Sequence, residues 1–219
     1  MPARRDRTNR DARRRSLGQN FLVGRAELSR IVDAVEIQAD DLILEVGAGT
    51  GSLTVAMAGA GARVIAVEAD PIWASKLHSR IEAMGLAHRV EVRCEDFESM
   101  ELPEPPYRVV SNPPFRLTTA LMSKLLDHPE RGPHRADLLL QLEVARKRAM
   151  TPPRSLRSAA WAPWWTFELG PVISRSAFRP VPRVDAALLT IHRRRSDVLP
   201  LWLAPRMRDL LRPGWSQTS

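Results

Sequence analysis

One short stretch limits what this chain can become more than any other: Leu42-Ile43-Leu44-Glu45-Val46, then Gly47-Ala48-Gly49-Thr50-Gly51. A buried apolar run meets alternating glycines, and Ser52-Leu53-Thr54-Val55-Ala56-Met57 resumes as an apolar helix. Strand, glycine turn and helix form the opening of a nucleotide-binding βαβ unit. Glycine permits a tight turn and close approach of a ligand to the backbone, and the helix start favours negative charge. The pattern Glu-x-Gly-x-Gly-x-Gly differs from the dinucleotide fingerprint. Its leading Glu45 would repel a pyrophosphate but tolerate a ligand carrying an ammonium or sulfonium group. Taken alone, the motif also suits a tight turn in an unrelated α/β protein.

Further strands follow at the spacing such a unit requires. Arg63-Val64-Ile65-Ala66-Val67 ends in Glu68, and Val90-Glu91-Val92-Arg93 leads to Cys94-Glu95-Asp96-Phe97. An acid after the second strand can accept both hydroxyls of a ribose. An acid after the third can accept from an adenine amino group, with Phe97 beside the ring. Singly, each acid is as well explained as a helix cap or a solvated charge.

The fourth run, Tyr107-Arg108-Val109-Val110, ends in Ser111-Asn112-Pro113-Pro114-Phe115. Proline lacks an N–H and fixes φ, so Pro113 and Pro114 stiffen the backbone with their carbonyls outward. The Asn112 side-chain oxygen and one of those carbonyls can accept from an exocyclic amine while Phe115 stacks on a flat ring. That arrangement holds a planar nitrogen nucleophile for alkylation. A proline-stiffened turn with an Asn cap is the other reading. Four consecutive strand ends carrying a glycine turn, Glu, Asp and Asn-Pro-Pro-Phe are hard to obtain by accident, because ligands of open parallel sheets bind at those ends.

With these motifs the chain resembles the class I S-adenosylmethionine (SAM) methyltransferases. Within them it is similar to the ribosomal RNA adenine-N6 methyltransferases, that is, the erythromycin-resistance (Erm) methylases and the dimethyladenosine transferases. Leu17-Gly18-Gln19-Asn20-Phe21-Leu22 resembles the family's N-terminal signature, and Phe178-Arg179-Pro180-Val181-Pro182-Arg183-Val184-Asp185 its Phe-x-Pro-x-Pro-x-Val loop. The likeness runs from about residue 13 to about residue 195. It implies a Rossmann-like α/β domain with a mostly parallel seven-stranded sheet and SAM as cofactor. Asn20 and Leu22 would lie near the cofactor's amino-acid end, with Glu45, Gly47, Gly49 and Gly51 forming its loop. Glu68 would hold the ribose, and Asp96 and Phe97 the adenine. Asn112, Pro113 and Phe115 would take the target base, Asn112 also touching the cofactor, with Phe178 closing from the other side. The family usually has Leu or Ile where this chain has Pro113, which brings it nearer to generic amino-methylating enzymes.

Composition agrees with a single enzyme domain. The chain has 219 residues and is 44% hydrophobic, enough for one α/β core. No apolar run approaches the ~18 residues of a membrane span, and the Arg-rich start lacks a signal core. The lone Cys94 permits no intramolecular disulfide, fits a reducing cytoplasm, and is expected to pack at a strand end. Five scattered His with one Cys show no metal-site spacing. A monomer is expected.

Residues 1–15 hold Arg4, Arg5, Arg7, Arg10, Arg13, Arg14 and Arg15 against two Asp, which is +5 of the net +8. With no core-forming pattern they are expected to be a disordered arm that contacts RNA phosphates. A solubilising tail and an organellar presequence are the alternatives. Residues 16–195 are expected to form the methyltransferase domain, and residues 196–219 a remnant of the family's helical C-terminal domain, with one short helix near Pro205–Leu211. The cluster Trp161, Trp164 and Trp165 is expected to pack against the sheet. Arg146, Lys147 and Arg148 are expected to be exposed, as a solvated face or an extension of the RNA surface. The arm, with Gln141 to Arg148, resembles Erm methylases more than dimethyladenosine transferases. That implies N6-methylation of an adenine in the peptidyl-transferase loop of 23S rRNA, conferring macrolide-lincosamide-streptogramin B resistance. Action on small-subunit rRNA, on DNA or a protein amide, or as a non-catalytic nucleic-acid binder, are the rival readings.

Overall fold

The computed structural model describes residues 20–215. Its elements, in chain order, are β1 (Phe21–Leu22), α1 (Arg25–Val35), β2 (Leu42–Val46), α2 (Ser52–Gly59), β3 (Arg63–Val67), α3 (Pro71–Ala83), β4 (Val90–Arg93) and β5 (Arg108–Ser111). They continue with α4 (Thr118–Leu126), β6 (Arg135–Gln141), α5 (Leu142–Ala149), α6 (Leu156–Trp161), β7 (Trp165–Ile173), β8 (Phe178–Arg179), β9 (Ala186–Arg193) and α7 (Met207–Trp215). Seven strands form one sheet in the order β4-β3-β2-β5-β6-β9-β7. The first five are parallel, and β9 runs antiparallel between β6 and β7. The short strands β1 and β8 pair antiparallel as a separate ribbon, Phe21 opposite Arg179 and Leu22 opposite Phe178.

The period-two alternation of side chains on a strand divides the core into two layers. Leu44, Val46, Ile65, Val67, Val109, Leu138 and Leu140 face one side, where α4 packs with Leu121, Met122, Leu125 and Leu126. Their neighbours Ile43, Val64, Ala66, Val110 and Leu139 face the other, against Ile31 and Val35 of α1, Met57 of α2 and Leu77 of α3. Both faces of the sheet are covered, so its central strands read as continuous apolar runs.

The amino ends of β5 and β6 are closed by charge. Arg108, 3% exposed, donates to Asp41 (2.6 Å), to the Val35 carbonyl (2.5 Å) and to Asp137 (3.4 Å). Asp137 is fully buried and also accepts from Arg135 (2.8 Å) and Thr190 (2.8 Å). This network supports the start of β6 at Arg135, where the half-buried Arg135 and the buried Asp137 both find polar partners.

The tryptophan cluster packs as expected. Trp161, Trp164 and Trp165 are 1–2% exposed and sit in the core, and their indole N–H groups donate to Asp127, the Leu199 carbonyl and the Leu126 carbonyl. Arg146 and Lys147 are exposed, but Arg148 is not. It turns inward over the Trp161 ring, 5.4 Å from the centroid, and donates to Ser155 and Ser158. Cys94 is exposed, not packed, because β4 ends at Arg93 on the sheet's edge. The C-terminal helix runs through Pro213 after a 3-10 turn at Leu201–Arg206. Near a helix end a proline forfeits only one backbone bond, so the short helix tolerates it. The seven arginines of residues 1–15 lie outside the described residues. No described helix is long and apolar enough to cross a membrane.

Candidate active site

Because β2 to β5 are parallel neighbours, the segments that follow them all emerge at one edge of the sheet. The glycine turn after β2 adopts positive φ at Gly47 (+75°) and Gly49 (+53°), a region that side chains disfavour. A Cβ at Gly47 would lie 2.9 Å from Pro114 Cδ, and one at Gly49 would lie 2.5 Å from the Phe21 ring. The turn is thus overlaid from two sides, by Pro114 of the Asn-Pro-Pro-Phe segment and by Phe21.

Glu68 shapes this turn. Its Oε2 accepts from the Gly49 N–H (2.9 Å) and its Oε1 from the Asp70 N–H (2.9 Å). Burial raises its pKa most, while the backbone donors at Asp70 and Gly49 pull it back down. Glu68 and Asp96 line a cavity of about 120 Å³ together with Gly47, Val67 and Pro114. Asp96 is exposed and anchors its own turn through the Glu98 N–H (3.0 Å). Phe97 is 3% exposed and forms part of the same wall.

A second, smaller cavity of about 30 Å³ shares Gly47 and Pro114 with the first. Asn20, Leu22, Glu45 and Asn112 line it. Glu45 is 2% exposed and accepts from the Thr54 hydroxyl (2.5 Å). Burial pushes its carboxyl up to about 8, partly offset by the Thr54 bond, with Glu68's charge adding to the rise. It is therefore mostly protonated at neutral pH and ready to ionise beside a cation.

Asn112 follows β5, which Ser111 ties to β2 by donating to the Val46 carbonyl (2.6 Å). The Asn112 Nδ2 donates to the main-chain carbonyl of Asn20 (2.9 Å). That bond orients the amide so that Oδ1 is the atom left to accept. The Pro114 carbonyl is engaged by the Leu117 N–H (2.8 Å), whereas the Pro113 carbonyl takes no bond from a described residue. Pro113 is buried, and Phe115, half-buried, opens a 3-10 turn.

Phe178 is 0% exposed and sits in the core cluster with Leu22 and Ala177, where it pairs with Leu22 in the β1–β8 ribbon. Leu22, 4% exposed, plays the same part on the opposite strand. Motif reading also missed residues that support the site. Thr54, a hydroxyl on the buried face of α2, holds Glu45. Trp73, on the first turn of α3, packs at 4.9 Å from the Phe21 ring. A polar residue inside an apolar helix signals the first; nothing in the sequence signals the second.

Seven strands in this order, with a glycine turn, two acids and Asn-Pro-Pro-Phe at the carboxyl edge, define a Rossmann-like methyltransferase of the SAM-dependent fold. The chain belongs to the ribosomal RNA adenine dimethylase family, whose model matches residues 10–204. It is 42% identical over 184 residues to an rRNA adenine N-6-methyltransferase of Corynebacterium diphtheriae, covering 84% of this chain and 70% of that one. The mycinamicin-resistance protein MyrB of Micromonospora griseorubida is 38% identical over 85% of this chain and 58% of its own length. Among solved structures, the 23S rRNA methyltransferase ErmE superposes with a TM-score of 0.79 at 29% identity, over 91% of this chain and 80% of that one.

Proposed function

We propose that the protein methylates the exocyclic N6 of one adenine in 23S rRNA, using SAM, and thereby confers resistance to macrolide, lincosamide and streptogramin B antibiotics. The likeness to the 23S rRNA methyltransferase ErmE and to the resistance protein MyrB supports the target. The observation that carries the amine-methylating chemistry is the bond from Asn112 Nδ2 to the Asn20 carbonyl. It joins the N-terminal signature to the target-base segment and leaves Asn112 Oδ1 and the Pro113 carbonyl as a pair of acceptors for an amine.

The residues fit the cofactor. Cβ atoms at Gly47 and Gly49 would have no room, and two adjoining cavities run from Asp96 to Asn20. Asp96 and Phe97 would hold the adenine and Glu68 the ribose through its remaining lone pairs. Glu45 and Asn20 would hold the amino-acid end, with Leu22 packing behind them. Bound there, SAM supplies an electrophilic methyl group on a sulfonium.

The chain's own residues do the rest by position. The target adenine must leave its stack to reach the site, and Phe115 offers it a ring. Its amine lone pair is delocalised into the purine, and acceptance of both amine hydrogens by Asn112 and Pro113 localises it on nitrogen. Catalysis then rests on orientation and preorganised acceptors, with no covalent enzyme intermediate. The single, exposed Cys94 fits a cytoplasmic setting.

The test is methylation of purified 23S and small-subunit rRNA with labelled SAM, followed by mapping of the modified nucleotide. We expect one adenine of 23S rRNA to be labelled. Label on small-subunit rRNA would establish a dimethyladenosine transferase instead, and label only on DNA or protein would overturn the assignment.

A further inference from the structure

Lys124 lies on α4, the helix that begins just after the target-base segment. Its ammonium donates to three main-chain carbonyls of a single turn: Phe97 (2.8 Å), Glu98 (2.9 Å) and Met100 (2.5 Å). An ammonium has three protons, so these carbonyls saturate it. The same nitrogen stands 5.1 Å from the centroid of the Phe97 ring, within reach of a cation–π attraction. Lys124 makes no ion pair with a carboxylate among the described residues, so its charge acts on the backbone dipoles and the Phe97 ring of this turn.

That turn favours a cation. Three carbonyls aimed at one point repel one another, and residues 95–104 carry Glu95, Asp96, Glu98, Glu101 and Glu104 with no basic residue among them. Of these acids Arg93 reaches only Glu95 (4.0 Å). The turn's other backbone hydrogen bonds are internal: the Asp96 carbonyl accepts from the Ser99 and Met100 N–H groups (3.1 and 3.0 Å), while Phe97 and Met100 are buried in the core layer that also holds Leu121 and Leu125 of α4. Asp96 and Phe97, at its start, line the larger cavity. Lys124 is thus the residue through which α4 hydrogen-bonds to the turn.

We propose that Lys124 is a positioning residue for the cofactor's adenine, pinning the 96–100 turn so that Asp96 and Phe97 face the cavity and linking that turn to the helix that starts at the target-base segment. The assignment rests on the reading of the cavity as a SAM site. It makes Lys124 a determinant of base selectivity for the cofactor. An adenine offers Asp96 an amine, whereas a hypoxanthine offers it an oxygen, and only a fixed turn can tell the two apart.

The experiment is calorimetric titration of S-adenosylhomocysteine and S-inosylhomocysteine into wild type, Lys124→Met and Lys124→Arg, with melting temperatures and turnover on rRNA alongside. Methionine keeps the side chain's length without its donors. Lys124→Met should weaken S-adenosylhomocysteine about tenfold or more, as expected when charge-assisted bonds are removed, and weaken S-inosylhomocysteine far less. KM for SAM should rise while kcat at saturation stays within about threefold. Arginine keeps the charge, but its planar fork cannot converge on three carbonyls, so Lys124→Arg should lose part of the selectivity; it decides the question by the same ratio if Lys124→Met does not fold. A folded variant with unchanged affinity, or one that loses both ligands equally, overturns the positioning role. Wild type that binds neither ligand removes the SAM reading, and this assignment with it.

Discussion

At the scale of single residues, the site depends on two side chains whose surroundings set their chemistry. The Asn112 amide is oriented through its Nδ2 by the Asn20 carbonyl, so its Oδ1 is preorganised as an acceptor. Asn112→Ala should lower turnover by about 100-fold, the usual cost of removing a transition-state hydrogen bond, while SAM affinity changes only a few fold. Near-normal turnover of a folded Asn112→Ala on rRNA would eliminate the amine-acceptor mechanism. Glu45 makes a different prediction because burial lifts its carboxyl from 4.5 to about 8. The native state therefore binds more protons than the unfolded one between those values, and stability falls as pH rises through that window. Glu45→Gln, which can still accept from Thr54, should flatten the fall in melting temperature between about pH 5 and 8. A ligand ammonium beside Glu45 should also drive proton release at pH 7, read as a buffer-dependent binding enthalpy that vanishes in Glu45→Gln. Binding enthalpies independent of buffer in the wild type would place the ammonium elsewhere.

At the scale of elements, the sheet is held at one edge by charge and used at the other for chemistry. Asp137 is buried beneath Arg108, Arg135 and Thr190 at the amino ends of the strands. Removing it takes away the buried carboxylate that Arg108 and Arg135 share, leaving Arg108 with Asp41 and Arg135 with Glu36, so Asp137→Ala should cost about 3 kcal/mol of stability. Denaturant titration measures that loss, while kcat of the folded fraction should stay near wild type, because the site lies at the opposite edge. A loss under about 1 kcal/mol would mean the network is solvated and dispensable. The same network marks how far the sequence alone is legible. β2, β3 and β5 were legible because their apolar runs end in turn residues. The start of β6 was not, since Arg135 and Asp137 look like surface until their partners from β5 and β9 are known. The ribbon of β1 and β8 is two residues long on each strand, too short for any periodicity, so the enclosure of Phe178 could not be read from its motif. Arg148 misled for a related reason: it shares a charge run with Arg146 and Lys147, but the helical turn points it at Trp161. The four site segments were legible because parallel order alone brings their ends together.

At the scale of the whole molecule, charge is the property left to explain. The chain carries a net +8, and residues 1–15 supply +5 of it through seven Arg and two Asp. These residues precede the signature at Leu17, and the described chain shows where that signature leads. Asn20 and Phe21 lie across the mouth of the site, against Asn112 and Gly49. Only residues 16–19 separate the basic segment from Asn20 in the sequence. We therefore propose that it meets RNA phosphates close to the target, with affinity that depends on salt through counterion release. Deleting residues 1–12 removes Arg4, Arg5, Arg7 and Arg10 and leaves the signature intact. RNA affinity should fall at low salt, and the slope of log K against log[salt] should become shallower by about 0.7–0.9 for each phosphate that the deletion leaves unneutralised. SAM affinity and melting temperature should hardly move, because residues 1–12 carry no core-forming apolar pattern. Filter binding of wild type and deletion across a salt series reads the difference directly. Equal slopes would show that the arginines neutralise no phosphates and that RNA is held by the folded domain alone.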